Sequence, residues 1–585
     1  MRRSFAKPFS PWGLPQFPRL LGDWPQFLGP LRNGSCPAGD VLKNAKLLWK
    51  KDSGSGFSGP VVSGGKLILF HRLGNKEVVE CWAARTGEKV WSFGYPATYR
   101  DDFGHDEGPR ATPAIVDSRV YTFGAAGALH ALDLNTGRVL WQVDTHAKFE
   151  VRKGFFGAAA SPLVDERAVY LNVGGKDAGL VAFDKTNGNV LWKAGSDEAG
   201  YSSPILVTLD GKRTVLCFTR GGLLGVDPAN GSVRFQHPWR SRSQASVNAA
   251  LPVVVGNLVF LSASYNTGAT VLQVGGGTLT KLWSSDEALS NHYATSVYKD
   301  GQLYGFHGRQ EEGQSLRCVE LKTGKVRWSV DGFGAGSVTL LGDQILVVRE
   351  NGEALLAPAT PAAFAPTSKV QLLPGVVRSY PALADGILFV RNETALAAYS
   401  LAPQTASAIL ERASSDFQAG RIAESVTGFD AVAKLDSNAL PHLWQRGIAL
   451  YYAGRFEECR RQFELHRSVN PNDVENAAWH FLCVARASGV ERARQSLLPA
   501  GPDNRVPMRE IYRMFRGELT PTQVITVAGT ASSAQFYAHL YAGLYLEALG
   551  RKTEGMLHVQ TASDARYKGA GYMHDVARVH LKMNR

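Results

Sequence analysis

The chain has 585 residues, of which 44% are apolar and 20% are charged, and its formal net charge is +12. This length exceeds what a single hydrophobic core serves, so two or more domains are expected. No apolar run is long enough for a transmembrane helix, and the Lys and Arg residues are dispersed rather than clustered, which argues against nucleic acid as a partner.

Residues 1–44 are predicted to form a largely irregular N-terminal extension. The chain begins with Met1-Arg2-Arg3, but prolines at positions 8, 11, 15 and 18 interrupt the apolar run that a signal peptide needs. The sequence therefore contains no convincing signal peptide, and it leaves the compartment open.

One phrase recurs through the first part of the chain, namely Ala-x-Asp-x-x-Thr-Gly-x-x-x-Trp. Its clearest copies run from Ala131 to Trp141 and from Ala182 to Trp192, the second with Asn187 in the Thr position. Degenerate copies are Trp82 to Trp91, Val226 to Phe235 and Val319 to Trp328. Each copy predicts an apolar strand, a glycine turn and a second strand ending in an aromatic residue. A strand repeat of about 40–50 residues indicates a β-propeller.

A second pattern predicts the number of blades. Each blade should open with small residues, because its innermost strand crowds the central axis. Eight such stretches begin at Ser58, Ala111, Ala160, Ser202, Ala249, Ala294, Ala335 and Ser379. Their spacing of about 41–53 residues is typical of four-stranded blades. We therefore predict a mainly β, eight-bladed propeller over residues 45–402.

The last blade is too short for four strands, since it starts near Ser379 and ends near Leu401. Residues Leu47 to Lys50 resemble the outermost strand of a blade, yet no blade precedes them. We predict that they complete the eighth blade and close the ring, which removes open sheet edges.

Helical periodicity replaces the strand pattern after residue 402, and two stretches align at a 34-residue offset. Ala413 aligns with Gly447, and Phe429 aligns with Phe463. Small residues let two antiparallel helices approach closely, and the phenylalanines fill the seam. Residues 403–585 are thus predicted to form an all-α helical-repeat domain similar to tetratricopeptide repeats, with an ordinary helical bundle as the alternative.

The propeller phrase resembles the repeats of quinoprotein-type propellers, also called PQQ-like repeats. The opening Asp23-Trp24-Pro25-Gln26-Phe27 also resembles the start of many bacterial members, and the resemblance covers residues 21–402. It implies an eight-bladed propeller, a bacterial origin and a place in the periplasm or cell envelope. The group contains quinone-dependent alcohol dehydrogenases and also non-catalytic scaffolds of outer-membrane β-barrel assembly.

Resemblance to the enzyme branch would imply pyrroloquinoline quinone (PQQ) flanked by a vicinal disulfide, a bound calcium and an Asp general base. This sequence has no Cys-Cys pair, no clear tryptophan platform and no long insertions to build a pocket. We therefore predict no cofactor and no catalytic residues, and PQQ with calcium remains the alternative.

The densest chemical cluster lies just before the second blade opens, and it is expected at the mouth of the central channel. Its candidate binding residues are Asp101, Asp102, His105, Asp106, Glu107 and Arg110. Four carboxylates are suited to a hard cation such as calcium, and Arg110 is suited to an anionic group. The alternatives are a solvated acidic loop and an Arg paired with a neighbouring carboxylate.

A second cluster of candidates comprises His292, Arg309 and Glu311. Exposed loops rich in such residues are binding candidates, although their spacing fits no metal motif. The leading functional hypothesis is a non-catalytic scaffold that binds proteins or peptides through the helical repeats and the propeller loops. The alternatives are a PQQ-dependent alcohol or sugar dehydrogenase and a sugar-polymer binder that uses Trp239, Tyr265 and Tyr293.

Overall fold

The structure is a computed structural model that describes residues 22–36, 42, 45–243, 246–401 and 406–584. The chain divides into two compact units, residues 1–402 and residues 403–585. Within the described residues, no helix combines the length and the apolar character needed to cross a membrane.

The first unit is an eight-bladed propeller, as predicted, and blade 7 carries a fifth strand. Two strands precede the first blade, β1 (Ser35–Cys36) and β2 (Lys46–Asp52). Blades 1 to 4 contain β3 (Val61–Ser63), β4 (Lys66–Leu73), β5 (Lys76–Ala83), β6 (Lys89–Pro96), β7 (Ala114–Val116), β8 (Arg119–Phe123), β9 (Ala128–Asp133), β10 (Val139–Asp144), β11 (Leu163–Val164), β12 (Ala168–Gly175), β13 (Ala178–Asp184), β14 (Val190–Ala194), β15 (Ile205–Leu209), β16 (Lys212–Phe218), β17 (Gly222–Val226) and β18 (Val233–Pro238). Blades 5 to 8 contain β19 (Val253–Val255), β20 (Leu258–Ala263), β21 (Gly268–Gly275), β22 (Thr278–Ser285), β23 (Val297–Lys299), β24 (Gln302–His307), β25 (Ser315–Glu320), β26 (Val326–Val330), β27 (Gly336–Leu341), β28 (Gln344–Arg349), β29 (Glu353–Pro358), β30 (Ser368–Gln371), β31 (Ala382–Ala384), β32 (Ile387–Arg391) and β33 (Ala395–Ser400).

The small residues that open the blades are bonded to one another around the axis. The amide N–H of Gly59 donates to the hydroxyl of Thr112 at 3.1 Å, and the amide of Thr112 donates to the hydroxyl of Ser161 at 2.8 Å. The amide of Ser161 continues the series to the hydroxyl of Ser203 at 2.8 Å. Hydroxyl side chains at these positions therefore satisfy backbone groups that the crowded centre shields from water.

Strand β2 closes the ring, as the sequence predicts. It pairs antiparallel with β33 in a sheet of order β2-β33-β32-β31, with Leu47 opposite Tyr399 and Trp49 opposite Ala398. Strand β2 and the last strand of the propeller therefore share one blade, which closes the ring and covers the outer edge of β33.

Residues 22–36 cross the central channel. Trp24 pairs with Val62 of blade 1, whereas β1 runs parallel to β27 of blade 7. Between these points, Leu28 is buried in the cluster that contains Ile205 and Leu251 of blades 4 and 5. The segment is largely irregular, and it fills space along the axis because it touches blades on opposite sides of the ring.

Arg32 holds this segment in place from within. Its guanidinium donates to the carbonyl oxygens of Pro204 at 2.8 Å, Ser161 at 2.7 Å and Pro162 at 3.1 Å. The residue is buried, and desolvation lowers the pKa of Arg32 to about 9. The carbonyls belong to the openings of blades 3 and 4, so Arg32 bonds the segment to the innermost strands.

In most blades, the recurrent tryptophan bonds one blade to the next. The indole N–H donates to a carbonyl in the turn of the following blade, in the pairs Trp49 to Ala84, Trp91 to Leu134, Trp141 to Lys185, Trp192 to Pro228 and Trp283 to Leu321. Trp141 and Trp192 are each only 8% exposed, which confirms that they pack between blades. The repeat therefore encodes an interface between blades.

The second unit is helical. Apart from the short α1 (Thr145–Phe149) in the propeller, the helices are α2 (Ala406–Gln418), α3 (Ile422–Leu435), α4 (Trp444–Tyr452), α5 (Phe456–His466), α6 (Val474–Ser488), α7 (Val490–Gln495), α8 (Met508–Phe515), α9 (Pro521–Ala528), α10 (Ser532–Ala548), α11 (Lys552–Ala562) and α12 (Tyr572–Met583). Short 3-10 turns occur at Gln310–Glu312, Ser437–His442 and Ala565–Ala570. The buried residues of the second unit form one continuous core.

The aligned small residues lie at helix contacts. A Cβ placed on Gly447 of α4 would lie 2.6 Å from the ring of Phe463 on α5. Likewise, a Cβ placed on Gly428 of α3 would lie 2.7 Å from the Cβ of Ala413 on α2. Phe429 and Phe463 are both buried in the seams, as expected. Close packing of these two helix pairs is confirmed, and their assignment to the tetratricopeptide family remains a prediction.

Helix α12 packs back onto the start of the helical unit. The ring of Tyr572 stacks on Phe417 of α2 at 5.3 Å. The Nδ1 of His580 is hydrogen-bonded to the hydroxyl of Tyr452 on α4 at 3.0 Å. The Nε2 of His580 lies 3.0 Å from the carboxylate of Glu547 on α10. Any groove between α2, α4 and α10 is therefore occupied by α12.

The cysteines fall into two groups. Cys459 of α5 and Cys483 of α6 form a disulfide, with Cα atoms 6.0 Å apart. The other four cysteines are free and buried, at Cys36, Cys81, Cys217 and Cys318. Burial in the strands raises the pKa of their thiols, which makes them poor nucleophiles.

Candidate functional site

All nine candidate residues lie on one side of the propeller. Residues 101–110 connect β6 to β7, His292 lies between β22 and β23, and residues 309 and 311 lie between β24 and β25. Strands alternate in direction within a blade, so connections from fourth to first strands and from second to third strands emerge on the same side. We call this side the mouth face.

Asp101 organises the loop before blade 2. Its carboxylate accepts hydrogen bonds from the amide of His105 at 2.6 Å and from the amide of Phe103 at 3.2 Å. The hydroxyl of Tyr99 donates to it at 3.1 Å, and the guanidinium of Arg110 lies 3.6 Å away. These donors keep the pKa of Asp101 below its ordinary value, although burial acts in the opposite direction.

The other three carboxylates of this loop point to separate partners. These pairs are Asp102 with Lys153 at 2.6 Å, Asp106 with the amides of Gly56 at 3.0 Å and Gly108 at 2.6 Å, and Glu107 with Arg72 at 3.0 Å. Within the described ranges, no group of three or more His, Cys, Asp or Glu residues is arranged to hold a metal ion. The four carboxylates that suggested a cation site therefore do not converge on one point.

Arg110 is mostly enclosed, with a side chain that is 11% exposed. It donates to the carbonyl of Asp106 at 2.8 Å. The centre of its guanidinium lies 5.5 Å from the ring of Tyr99, 5.9 Å from Phe57 and 6.0 Å from Phe156. Aromatic faces stabilise a cation. The guanidinium of Arg110 is therefore stabilised both by the carboxylate of Asp101 and by these three rings.

An aromatic patch extends from Arg110 to the surface. Phe103 is 49% exposed, and its ring lies 5.8 Å from Phe155 and 5.5 Å from Phe156. The ring of His105 lies 6.4 Å from Phe103 and 6.0 Å from Phe156. The mouth face therefore carries exposed apolar surface beside a cation.

His292 anchors the second cluster. Its Nδ1 accepts a hydrogen bond from the amide of Gln310 at 3.3 Å, and its Nε2 lies 2.8 Å from the hydroxyl of Tyr265. Because Nδ1 is the acceptor, the neutral ring carries its proton on Nε2. Burial lowers the pKa of His292 and favours this neutral form.

Arg309 and Glu311 lie on the same connection. The guanidinium of Arg309 lies 4.8 Å from the ring of Tyr265, and it contacts Glu311 at 3.3 Å and Glu312 at 3.7 Å. The structure therefore brings His292, Arg309 and Glu311 together, with Tyr265 between the imidazole and the guanidinium.

The two clusters meet through Glu350 and Arg378. The side-chain amide of Gln310 donates to both oxygens of Glu350, at 2.7 and 2.9 Å, and the Nε of Arg378 donates to the same carboxylate. The guanidinium of Arg378 lies 5.4 Å from the ring of Phe57, which also contacts Arg110. The two separate sequence patterns therefore belong to one connected site.

Sequence reasoning missed Phe57, Glu350 and Arg378, although the repeat contains a signal for two of them. Arg110 stands directly before a small-residue opening, and Phe57 and Arg378 stand at the same place in their blades. The residues in this position are Phe57, Arg110, Ala159, Tyr201, Asn248, Tyr293, Gly334 and Arg378. Four residues in this position, Phe57, Arg110, Tyr293 and Arg378, therefore belong to the site.

Residues 74–330 match the family model described as outer membrane protein assembly factor BamB. The matched residues contain repeats of the PQQ-like type. A BamB of Yersinia pestis is 22% identical over 283 residues, which cover 45% of this chain and 68% of that protein. The quinoprotein alcohol dehydrogenase PedH of Pseudomonas putida is 27% identical over 244 residues, which cover 39% of this chain but only 35% of the enzyme.

Two solved structures also superpose on part of this chain. BamB from Moraxella catarrhalis superposes with a TM-score of 0.45 and 16% identity, covering 61% of this chain and 97% of that one. Quinohemoprotein alcohol dehydrogenase from Comamonas testosteroni superposes with a TM-score of 0.48 and 14% identity, covering 65% and 80%. In sequence, an assembly factor and a dehydrogenase are both similar to this chain at low identity, and this similarity does not discriminate between them.

Proposed function

We propose that this protein is a non-catalytic scaffold that binds protein partners at the mouth face of its propeller. The observation that carries the proposal is the N-terminal segment in the central channel. Trp24, Leu28 and Arg32 occupy space between the innermost strands, and Arg32 is bonded to carbonyls of two blades. A channel filled in this way favours binding at its rim over chemistry along its axis.

The alternative is a quinoprotein dehydrogenase, which would hold PQQ and calcium near the axis. Calcium requires several oxygen ligands around one point. Asp101, Asp102, Asp106 and Glu107 instead face Arg110, Lys153, backbone amides and Arg72 respectively. The residues of this mouth therefore do not fit a calcium-bound quinone, and we derive no redox step for them.

The helical unit would provide a second surface for partners. Because α12 packs across α2, α4 and α10, partner contacts are expected on the outward faces of the helices rather than in a groove between them. This expectation follows the analogy with helical-repeat proteins, which serve mainly as binding modules.

Photo-crosslinking in the native host tests the scaffold proposal. A photoreactive amino acid at position 103 reports on the mouth face, and one at position 90 is the control. The two side chains are equally accessible, since Phe103 is 49% and Val90 is 50% exposed, but Val90 lies on the outermost strand of blade 1. We expect discrete protein adducts from position 103 and none from position 90. Absence of adducts at position 103 would contradict the proposal.

Cofactor titration tests the alternative. The purified protein is mixed with PQQ and calcium chloride, and cofactor absorbance and dye-linked oxidation of primary alcohols are measured. We expect neither retained absorbance nor turnover. Stoichiometric quinone binding that depends on calcium and disappears in Asp106→Asn would establish the dehydrogenase instead.

A further inference from the structure

Arg378, Tyr293 and Arg309 on the mouth face each have a hydrogen-bond donor that lacks an acceptor in the described part of the chain. Arg378 donates from Nε to Glu350, whereas its Nη1 and Nη2 make no hydrogen bond within the described part of the chain. Its side chain is 28% exposed, so the guanidinium is not fully enclosed. A guanidinium with two outward N–H groups can clamp a carboxylate in a bidentate manner.

Two further donors belong to the second cluster. The hydroxyl of Tyr293 and the Nε of Arg309 are enclosed, and neither has a hydrogen-bond partner in the described structure. The ring of Tyr293 lies 5.4 Å from that of His292, and the charges of Glu350 and Arg378 act on its hydroxyl. Burial raises the pKa of Tyr293, so the hydroxyl keeps its proton and remains a donor.

The acceptors already present are engaged. Glu350 accepts from Gln310 and from Arg378, and Glu311 faces Arg309. A buried donor without an acceptor destabilises a protein, so such groups tend to mark unfilled sites. The orphan groups next to Glu350 and Glu311 include the N–H groups of two arginines, and these cationic donors favour an anionic acceptor.

The surroundings distinguish a peptide from a small ion. Arg110 and Arg378 flank the ring of Phe57 at 5.9 and 5.4 Å. Phe156 joins Arg110 to the exposed ring of Phe103, so the cationic part of the mouth continues into an apolar patch. A ligand that carries carboxylates next to apolar side chains would contact both parts.

We propose that the mouth binds an acidic peptide segment of a protein partner, with a Glu or Asp carboxylate on Arg378 and Tyr293 and an apolar side chain on the Phe103 patch. This inference rests on the proposed scaffold function. It adds the chemistry of the ligand and the residues that recognise it, and it assigns Arg378 as the residue that sets specificity for carboxylates.

Fluorescence anisotropy with a labelled peptide of alternating Glu and Leu tests this proposal on the full chain. The same peptide with Gln in place of Glu is the probe for charge. We expect Arg378→Gln to weaken binding of the Glu peptide by about tenfold and Tyr293→Phe by about threefold, since each variant removes a donor to the carboxylate. Rising salt should weaken binding of the Glu peptide only.

Arg327→Gln is the matched control, because Arg327 is also half-buried and paired with a carboxylate, Glu320 at 2.9 Å, but lies at the start of β26 away from the mouth face. The proposal would be overturned if the protein bound the Gln peptide as tightly as the Glu peptide. It would also be overturned if Arg378→Gln and Tyr293→Phe both bound the Glu peptide with unchanged affinity. Succinate that binds as tightly as the peptide would also overturn it by reassigning the site to a small anion. Crosslinks from position 103 without peptide binding would leave the scaffold intact and reject only this inference.

Discussion

The indole of Trp141 covers Gly188 of the next blade. A Cβ built on Gly188 would lie 2.6 Å from Cε3 of Trp141, and the indole N–H donates to the carbonyl of Lys185 at 3.0 Å. Gly188 also has a φ of +75°, a conformation that side chains disfavour. The tryptophan of one repeat and the glycine of the next therefore form a single contact, which explains why the phrase contains both.

Replacing Trp141 by Ala should destabilise the propeller by about 3–5 kcal/mol, because a large buried ring is lost. Trp141→Phe should cost less, since it retains a ring and removes only the indole hydrogen bond. Differential scanning calorimetry of the propeller transition measures both effects. An unchanged transition temperature in Trp141→Ala would show that the ring does not hold the blades together.

Gly188→Ala should destabilise through two causes, namely the positive φ and the clash with Trp141. Gly211 provides a matched control, since its φ is +72° but a Cβ there would have no neighbour within 4 Å. We expect Gly188→Ala to cost about 1–3 kcal/mol more than Gly211→Ala, as measured by chemical denaturation. If the two variants lost equal stability, the whole effect of Gly188→Ala would be due to backbone conformation.

Gly447→Leu should destabilise the helical unit by about 1–3 kcal/mol, because the added side chain would clash with the ring of Phe463. Gly569→Leu is the control, since a Cβ at Gly569 would meet nothing within 4 Å. Thermal unfolding followed by helical circular dichroism measures the difference. Similar stability of the two variants would contradict close packing of α4 on α5.

Arg32→Met should release the N-terminal segment from the channel. The carbonyls of Ser161, Pro162 and Pro204 would lose their donor, at a cost of about 2–4 kcal/mol. Hydrogen exchange should become faster in residues 22–36, whereas the exposed Arg138→Met should leave it unchanged. Slow exchange in both variants would show that the segment is held without Arg32.

His130 should make the propeller less stable in acid. Burial lowers the pKa of His130 to about 4, whereas its ordinary value is 6.5. The neutral ring therefore stabilises the fold fully above pH 6.5, and this contribution is lost as the pH falls towards 4, by about 3 kcal/mol at most. Denaturation of His130→Gln at pH 7 and pH 4.5 should show a smaller loss than the parent protein. Equal losses would mean that His130 is protonated without cost.

The blade count was predictable because it depends on local geometry. Small residues are needed wherever an innermost strand meets the axis, and Trp and Gly are needed wherever two blades meet. The composition of the mouth was harder to predict, because the lining position holds residues as different as Phe57, Ala159 and Arg378. These residues can be identified only by their position in the repeat, because they share no chemical type.

The contacts of α12 were beyond prediction for another reason. Stacking of Tyr572 on Phe417 and the bond from Tyr452 to His580 join residues that are distant in sequence. No local period encodes such pairs, so the sequence indicates helices and close helix pairs but not how the last helix packs. The channel segment is similar, since the contacts of Arg32 are to carbonyl groups that any residue could supply.

Closure of the ring by β2 also constrains the order of events during synthesis. Lys46 pairs with Ser400, so β2 must wait for the last propeller strand to leave the ribosome. At 5–20 residues per second this delay is roughly 20–70 s. During that time the edge of β33 does not exist and β2 has no partner. A nascent chain that stops within blade 8 would expose β2 to other strand edges, so premature termination there is expected to yield aggregation-prone fragments.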